Sequence, residues 1–160
     1  MIYFACLLLS MLGFYLIENF FTIQPDVTSG NGNPAFFIII PFFPVFIYGY
    51  FLTFTFVREY TSKYLQTYTK ILLLVLFSIF CIALIFLIVN NAKELIFTLG
   101  GPPTEPESTI FRFGWFNQYT NSMFFNFYTF LLSHLSVVIA AIITSFIIGN
   151  YFKTNADEIT

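Results

Sequence analysis

Four long apolar runs, almost free of charge, constrain the fold of this chain more than any other feature of its sequence. They occupy residues 2–22, 35–57, 71–90 and 127–150, to within a few residues. A transmembrane α-helix needs about 20 such residues to cross ~30 Å of hydrocarbon. Barrel strands need only ~10 residues and alternate strictly, which these runs do not. The predicted fold class is therefore an all-α integral membrane protein, a four-transmembrane-helix bundle.

The composition is that of a membrane protein and excludes nucleic-acid and nucleotide binding. Hydrophobic residues make up 58% of the chain and charged residues 9%, whereas soluble domains carry about 25% charged residues. A formal net charge of −2 offers no basic field for a nucleic-acid backbone. The pair Gly100 and Gly101 lies in a proline-rich stretch without a phosphate-loop lysine, so we expect no nucleotide site.

The first apolar run is expected to remain in the mature protein. No Lys or Arg precedes its apolar core, and no small-x-small cleavage site precedes Glu18, so it lacks the marks of a secretory signal. Cys6 lies near one end of this run and Cys81 lies in the middle of the third. We therefore expect no disulfide between them.

The polar stretches between the runs set the expected topology of a single membrane domain, residues 1–160. The stretches 24–34 and 91–126 are predicted as external loops, and 58–70 and the tail 151–160 as cytoplasmic. Four basic residues lie on the predicted cytoplasmic side and two on the other, namely Arg58, Lys63, Lys70 and Lys153 against Lys93 and Arg112. The positive-inside rule then places both termini in the cytoplasm, in a multi-pass protein of a bacterial plasma membrane.

The second run contains two prolines that are expected to kink its helix. Pro41 and Pro44 have no amide hydrogen, so two carbonyls one turn earlier lose their helical partners. Alternatively, the helix begins at Pro41. A discontinuous helix whose free carbonyls line a site would suit a transporter, but an ordinary proline kink, which membrane helices tolerate, is the favoured interpretation.

Three tyrosines at four-residue spacing mark the charged stretch after the second run. Tyr60, Tyr64 and Tyr68 would share one face of a helix that extends the second run into the cytoplasm. Tyrosine has an apolar ring and a polar tip, which suits the inner headgroup level. Docking of a cytoplasmic partner on the same tyrosines is the alternative.

The longest polar stretch, 91–126, is expected to have no compact core. Its second half, 110–116, alternates apolar residues with Arg112 and ends near Trp115, which predicts an aromatic strip in the outer interface. Membrane anchoring alone would explain such a strip. The alternative is a contact surface for another protein, to which aromatic and Arg residues are suited.

The fourth run carries small residues in two four-residue registers. One register is Ser136, Ala140 and Thr144, and the other is Ala141, Ser145 and Gly149. Small residues let helix backbones approach closely in a membrane. The registers therefore predict a helix-packing surface, used either within the bundle or by a second protein.

Two ionisable residues, Glu18 and His134, lie within the apolar runs. Such groups cost roughly 2.5–3.5 kcal/mol at the centre of a membrane helix, so they merit functional hypotheses. They are candidates for a proton or cation relay. The favoured alternative is that Glu18 reaches the outer interface and His134 forms a hydrogen bond to a neighbouring helix.

The sequence offers no set of metal ligands and no catalytic constellation. A single histidine, without a second histidine, paired carboxylates or clustered cysteines, cannot hold zinc, a bis-histidine haem or a di-iron site. No nucleophile lies beside a base that an acid could orient. We therefore expect no cofactor, no metal and no enzymatic activity.

These features favour a small noncatalytic subunit, accessory or regulatory, that binds a larger membrane complex. Its expected partners are the lipid bilayer and a membrane protein. The alternative is a homo-oligomeric small transporter or pore in which Glu18 and His134 form the relay. A membrane enzyme that acts on lipid is a third hypothesis, but nothing arranges its polar candidates, Glu94, Glu105, Glu107 and Arg112, as a site.

Overall fold

The computed structural model describes residues 2–28, 30 and 32–157, with side chains described up to residue 147. Its helices are α1 (Ile2–Asn19), α2 (Phe36–Tyr64), α3 (Thr67–Thr98), α4 (Thr109–Phe113), α5 (Asn121–Phe124) and α6 (Phe127–Asp157). No strand occurs in this described part. Four helices, α1, α2, α3 and α6, are long and apolar enough to cross a membrane. The prediction of an all-α fold with four candidate spans is confirmed.

The second and third helices extend well beyond their apolar runs. α2 continues through the charged stretch to Tyr64, and α3 begins at Thr67. Only Leu65 and Gln66 separate them, both with extended backbone. At its other end α3 continues past Asn90 into the predicted external stretch. Residues 58–98 contain no Gly or Pro, so nothing in the local sequence ends a helix where the polarity changes.

Both prolines lie inside α2, which begins at Phe36. The alternative that the helix starts at Pro41 is therefore wrong. The first turn is closed by hydrogen bonds from the amides of Ile38 and Ile39 to the carbonyl of Ala35. The kink itself stays a prediction.

The four long helices pack in the spatial order α1, α2, α6, α3. α1 packs on α2, α2 on α6, and α6 on α3. Within the described residues α1 and α3 do not form a packed pair, so the bundle is open on that side. α3 lies at the edge and buries only Lys70 and Leu84. Cys6 and Cys81 are both free, as expected.

An aromatic cluster holds α1, α2 and α6 together near the start of α6. The buried ring of Phe14 makes edge contacts with the rings of Phe46, Phe125 and Phe130, at centroid distances of 5.1, 5.3 and 5.5 Å. Between membrane helices such close packing replaces the hydrophobic effect as the source of stability. Edge-to-face aromatic pairs each add about 0.5–1.5 kcal/mol.

α1 and α2 approach each other closely at two glycines. A Cβ atom on Gly13 would lie 2.6 Å from Cδ1 of Phe42, and one on Gly49 would lie 3.2 Å from Oγ of Ser10. Each helix therefore uses a glycine where the other helix crosses it. These two glycines were not among the packing residues predicted from the sequence.

The stretch before α6 folds into a small unit, residues 95–126, that we call the cap. Its core consists of Leu99, Ile110 and Tyr119, against which Ile23 packs from the connection between α1 and α2. The chain reverses at Gly100 and Gly101, whose φ angles of 87° and 105° favour glycine. The expectation that this stretch has no compact core is wrong, because the turn returns Ile110 to the end of α3.

Candidate functional site

The cap presents a loop, residues 114–120, that is held from within by buried side chains. Asn117 donates from Nδ2 to the carbonyl of Gly114 (2.6 Å) and accepts from the amide of Tyr119 (2.8 Å). Thr120 donates from Oγ1 to the carbonyl of Trp115 (2.6 Å) and accepts from the amide of Asn117 (3.1 Å). Asn117 and Thr120 are 3% and 0% exposed. Their hydrogen bonds fix the loop, since satisfied buried networks rigidify a structure.

Hydrogen bonds fasten the connection between α1 and α2, residues 20–35, to the cap at several points. The amide of Ile23 donates to the carbonyl of Gln118 (2.9 Å). The side-chain amides of Asn33 and Asn121 donate to each other, both at 2.8 Å. Two segments that are distant in sequence thus form one unit at this end of the bundle.

Large aromatic side chains project outward from this unit. They are Phe97, Phe111, Phe113, Trp115, Phe116 and Phe124, which we call the aromatic face of the cap. Phe97 is 84% exposed and Phe116 is 72% exposed. The rings of Phe116 and Phe124 stack at a centroid distance of 4.8 Å. Arg112 is exposed on the same short helix as Phe111. The predicted aromatic strip thus lies on a folded unit whose buried polar side chains form hydrogen bonds within it.

Glu18, near the end of α1, lies beside the start of α6. Its carboxylate faces the backbone amide of Phe127, the first residue of that helix. A negative charge at a helix N-terminus satisfies a free amide and interacts favourably with the helix dipole. Glu18 also lines a cavity of about 140 Å³ with Asn91, Ser122 and Asn126. Glu18 therefore stabilises the start of α6.

His134 lies inside the bundle with one ring nitrogen unsatisfied. The ring is 9% exposed and packs on Tyr50 and Phe130, at centroid distances of 4.8 and 4.4 Å. Nδ1 lies 3.1 Å from the carbonyl oxygen of Phe130, so in the neutral ring Nδ1 carries the proton. Nε2 is buried and has no hydrogen-bond partner. An unsatisfied buried polar atom costs about 1–3 kcal/mol.

The structure does not join Glu18 to His134. The two residues line separate cavities. The hydrogen bond of His134 goes to its own helix, and its Nε2 has no partner. A relay between these residues would need a further group, and it stays a prediction.

The prediction that the three tyrosines of the charged stretch share one helix is wrong. Tyr60 and Tyr64 are neighbours on α2, with ring centroids 5.2 Å apart, and both are exposed. Tyr68 lies on α3, beyond the break at Leu65 and Gln66. The four-residue spacing continues across this break, so the spacing alone could not reveal it.

The two small-residue registers of α6 face different surroundings. Ala141 and Ser145 are 0% and 1% exposed and pack within the bundle. Ser136 and Ala140 are exposed, and the hydroxyl of Ser136 donates to the carbonyl of Leu132 in its own helix. Thr144 is partly buried, and Gly149 lies outside the residues whose side chains are described. One register therefore packs within the chain and the other faces outward.

The residues that hold the cap together were missed in the sequence. Asn33, Asn117, Thr120 and Asn121 were not among the predicted site residues. The available signal was the polar run 117–121 between two aromatic stretches, which is unusual next to a span.

In the described residues no group of three His, Cys, Asp or Glu could hold a metal ion. No family model, curated protein or solved structure matches this chain.

Proposed function

We propose that this protein is a small noncatalytic membrane subunit, accessory or regulatory, that binds a larger membrane complex through the aromatic face of the cap. The observation that carries the proposal is the exposure of large aromatic side chains on a unit whose buried polar side chains form hydrogen bonds within it. Large exposed apolar patches mark surfaces that bind proteins or membranes. The position of this face decides between those two uses.

The height of Phe97 above the membrane favours a protein partner. α3 becomes polar at Asn90, and Phe97 follows seven residues later on the same helix. At 1.5 Å per residue this is about 10 Å along the helix axis, and still about 8 Å for a tilt of 40°. The headgroup layer on each side is only about 5–8 Å thick. Phe97, 84% exposed, would therefore stand in water at the edge of this layer or beyond it.

The internal hydrogen bonds of the cap support binding as its role. Trp, Tyr and Arg dominate the energetics of protein interfaces when they sit in rigid, well-packed positions. Trp115 and Arg112 are both exposed, and the carbonyl of Trp115 is held by Thr120. Because the loop is already ordered, binding a partner would cost less conformational entropy.

The proposed orientation has both termini in the cytoplasm and the cap outside, in a plasma membrane that the four long helices cross. The excess of Lys and Arg on the terminal side supports this orientation. The partner is then a membrane protein with a surface near the outer headgroups that can receive aromatic side chains.

Purification from source cells in a gentle detergent tests the proposal. A tag after Thr160 is used to isolate the wild type, the double variant Trp115→Ala/Phe116→Ala, and the control Phe86→Ala, which alters an exposed residue in the middle of α3. Native mass and mass spectrometry then identify what co-purifies. We expect a larger membrane protein in stoichiometric amount with the wild type and the control, and its loss from the double variant. Elution only with copies of itself, or retention of the partner by the double variant, would overturn the proposal.

A homo-oligomeric small transporter or pore is the second candidate, and one observation favours it. The unsatisfied Nε2 of His134 lies in the bundle, where a transported proton or cation would need a group to receive it. This candidate predicts that Glu18→Gln and His134→Ala each abolish transport while expression is unchanged. Equal flux in both variants and the wild type would reject the relay.

A further inference from the structure

A cavity of about 280 Å³ lies where α1, α2, α3 and α6 meet. Its lining is mainly apolar and aromatic, including Leu7, Phe80, Phe130 and Leu135, and it also includes Thr53 and His134. His134 follows the first residue of α6 by seven positions, which places it about 10 Å along the helix from that end. The cavity therefore lies at membrane depth.

The two buried polar residues that line the cavity can only accept further hydrogen bonds. Nδ1 of His134 donates to the carbonyl of Phe130, which leaves Nε2 of the neutral ring as an acceptor without a partner. The hydroxyl of Thr53 donates to the carbonyl of Gly49 at 2.8 Å, so its remaining capacity is also as an acceptor. A ligand that satisfies this site must therefore bring a donor.

The cavity has one wall that is not a packed helix pair. α1 and α3 both line it, and these are the neighbouring spans that do not pack on each other in the described part of the chain. Every other wall is a packed helix pair. A molecule dissolved in the membrane could enter between α1 and α3 without crossing the cap.

We propose that this cavity binds a lipid-soluble molecule whose ring carries a hydroxyl group, and that this hydroxyl donates a hydrogen bond to Nε2 of His134. A cavity of 150 Å³ holds benzene, so 280 Å³ accommodates one substituted ring, with any tail in the gap between α1 and α3. Acyl chains bring no donor, and ketones or quinones bring only acceptors.

Binding requires a small rearrangement of the cavity wall. Nε2 is buried beneath neighbouring side chains, so a lining side chain must rotate to admit the hydroxyl. Side-chain rotations of this kind are common between free and bound proteins. The bond from Nδ1 to Phe130 keeps the acceptor nitrogen at the far end of the ring.

The single histidine of the chain permits a direct test without mutation. Protein labelled with ¹⁵N only in histidine is studied by NMR in detergent micelles, with 4-pentylphenol and 4-pentylanisole as matched probes that differ by one methyl group. We expect the phenol to shift the Nε2 signal saturably, and the anisole to bind roughly tenfold more weakly, as loss of one hydrogen bond to a buried acceptor predicts. Equal shifts with both probes, or none with either, would overturn the proposal.

Two variants locate the binding site by native mass spectrometry with the same probes. His134→Leu should lose the preference for the phenol over the anisole. Thr144→Ala, a control at a hydroxyl that bonds the carbonyl of Ala140 in its own helix and does not line the cavity, should keep it. Unchanged preference in His134→Leu would refute the assignment, and if that variant does not fold, the NMR result on the wild type still decides.

Discussion

The reciprocal amide pair of Asn33 and Asn121 should contribute measurably to the stability of the cap. Both hydrogen bonds are 2.8 Å long, and Asn121 is 4% exposed. At about 0.5–1.5 kcal/mol of net stabilisation each, the two bonds together are worth roughly 1–3 kcal/mol. In Asn121→Ala, Asn33 keeps its bond from the amide of Ala35, so it is not left wholly unsatisfied. We expect Asn33→Ala and the double variant to lose similar amounts of unfolding free energy, and Asn121→Ala to lose less, because only the first two also remove the bond from Ala35.

A double-mutant cycle measures this coupling. Unfolding is followed in mixed micelles by titration with dodecyl sulfate, with the fluorescence of Trp115, the only tryptophan, as a reporter within the cap. The expected coupling between Asn33 and Asn121 is about 1–3 kcal/mol, the whole of the pair's stabilisation, because either single variant already removes both shared bonds. A control cycle that pairs Asn121→Ala with Asn19→Ala, an exposed residue bonded within its own helix, should show none. A coupling below about 0.5 kcal/mol for the Asn33 cycle, the level found for independent sites, would refute the pairing.

Three further predictions concern packing, the cap loop and topology. Gly13→Ala should lower the unfolding free energy by about 1–3 kcal/mol in the same titration, because its Cβ would meet the ring of Phe42; equal or greater stability would contradict the close approach. Gly114→Ala should weaken partner capture and lower the unfolding free energy by about 1–3 kcal/mol. The reason is the backbone, whose φ of 76° and ψ of −178° disfavour a side chain, since no atom would clash with the added Cβ. Full capture would show that the loop tolerates the change. In a chain without its native cysteines, Thr28→Cys should react with an impermeant thiol reagent in intact cells and Ser62→Cys should not, and the reverse pattern would invert the topology.

The local sequence pattern was sufficient to predict the aromatic strip, but it was not sufficient to predict the break between α2 and α3. The exposed aromatic residues around Trp115 were identified from the sequence, because alternation and composition are local properties. The helix break was not, because Leu65 and Gln66 differ little in helix propensity from their neighbours. The structure ends α2 there without a Gly or Pro signal.

Which register of α6 packs inward also required the structure. Ser136 and Ala141 begin two registers with equivalent small residues, and both satisfy the same rule for helix contact. The choice depends on the rotation of α6 against α2, to which the whole aromatic cluster around Phe14 contributes. Ala141 faces inward and Ser136 does not, a difference that one chain's sequence does not encode locally.

The sequence by itself determined that four α-helices have the length and apolar character of membrane spans. That property depends on the local composition and on the requirement that a backbone in lipid form its own hydrogen bonds. Both act within each apolar run, so neither depends on the rest of the chain. Only the tertiary structure decided how the cap is built and which polar groups meet. Asn33 and Asn121 are 88 positions apart, and they pair because the chain turns at Gly100 and α6 packs against α2. Contacts of this kind arise from the packing of whole helices, so no local sequence pattern predicts them.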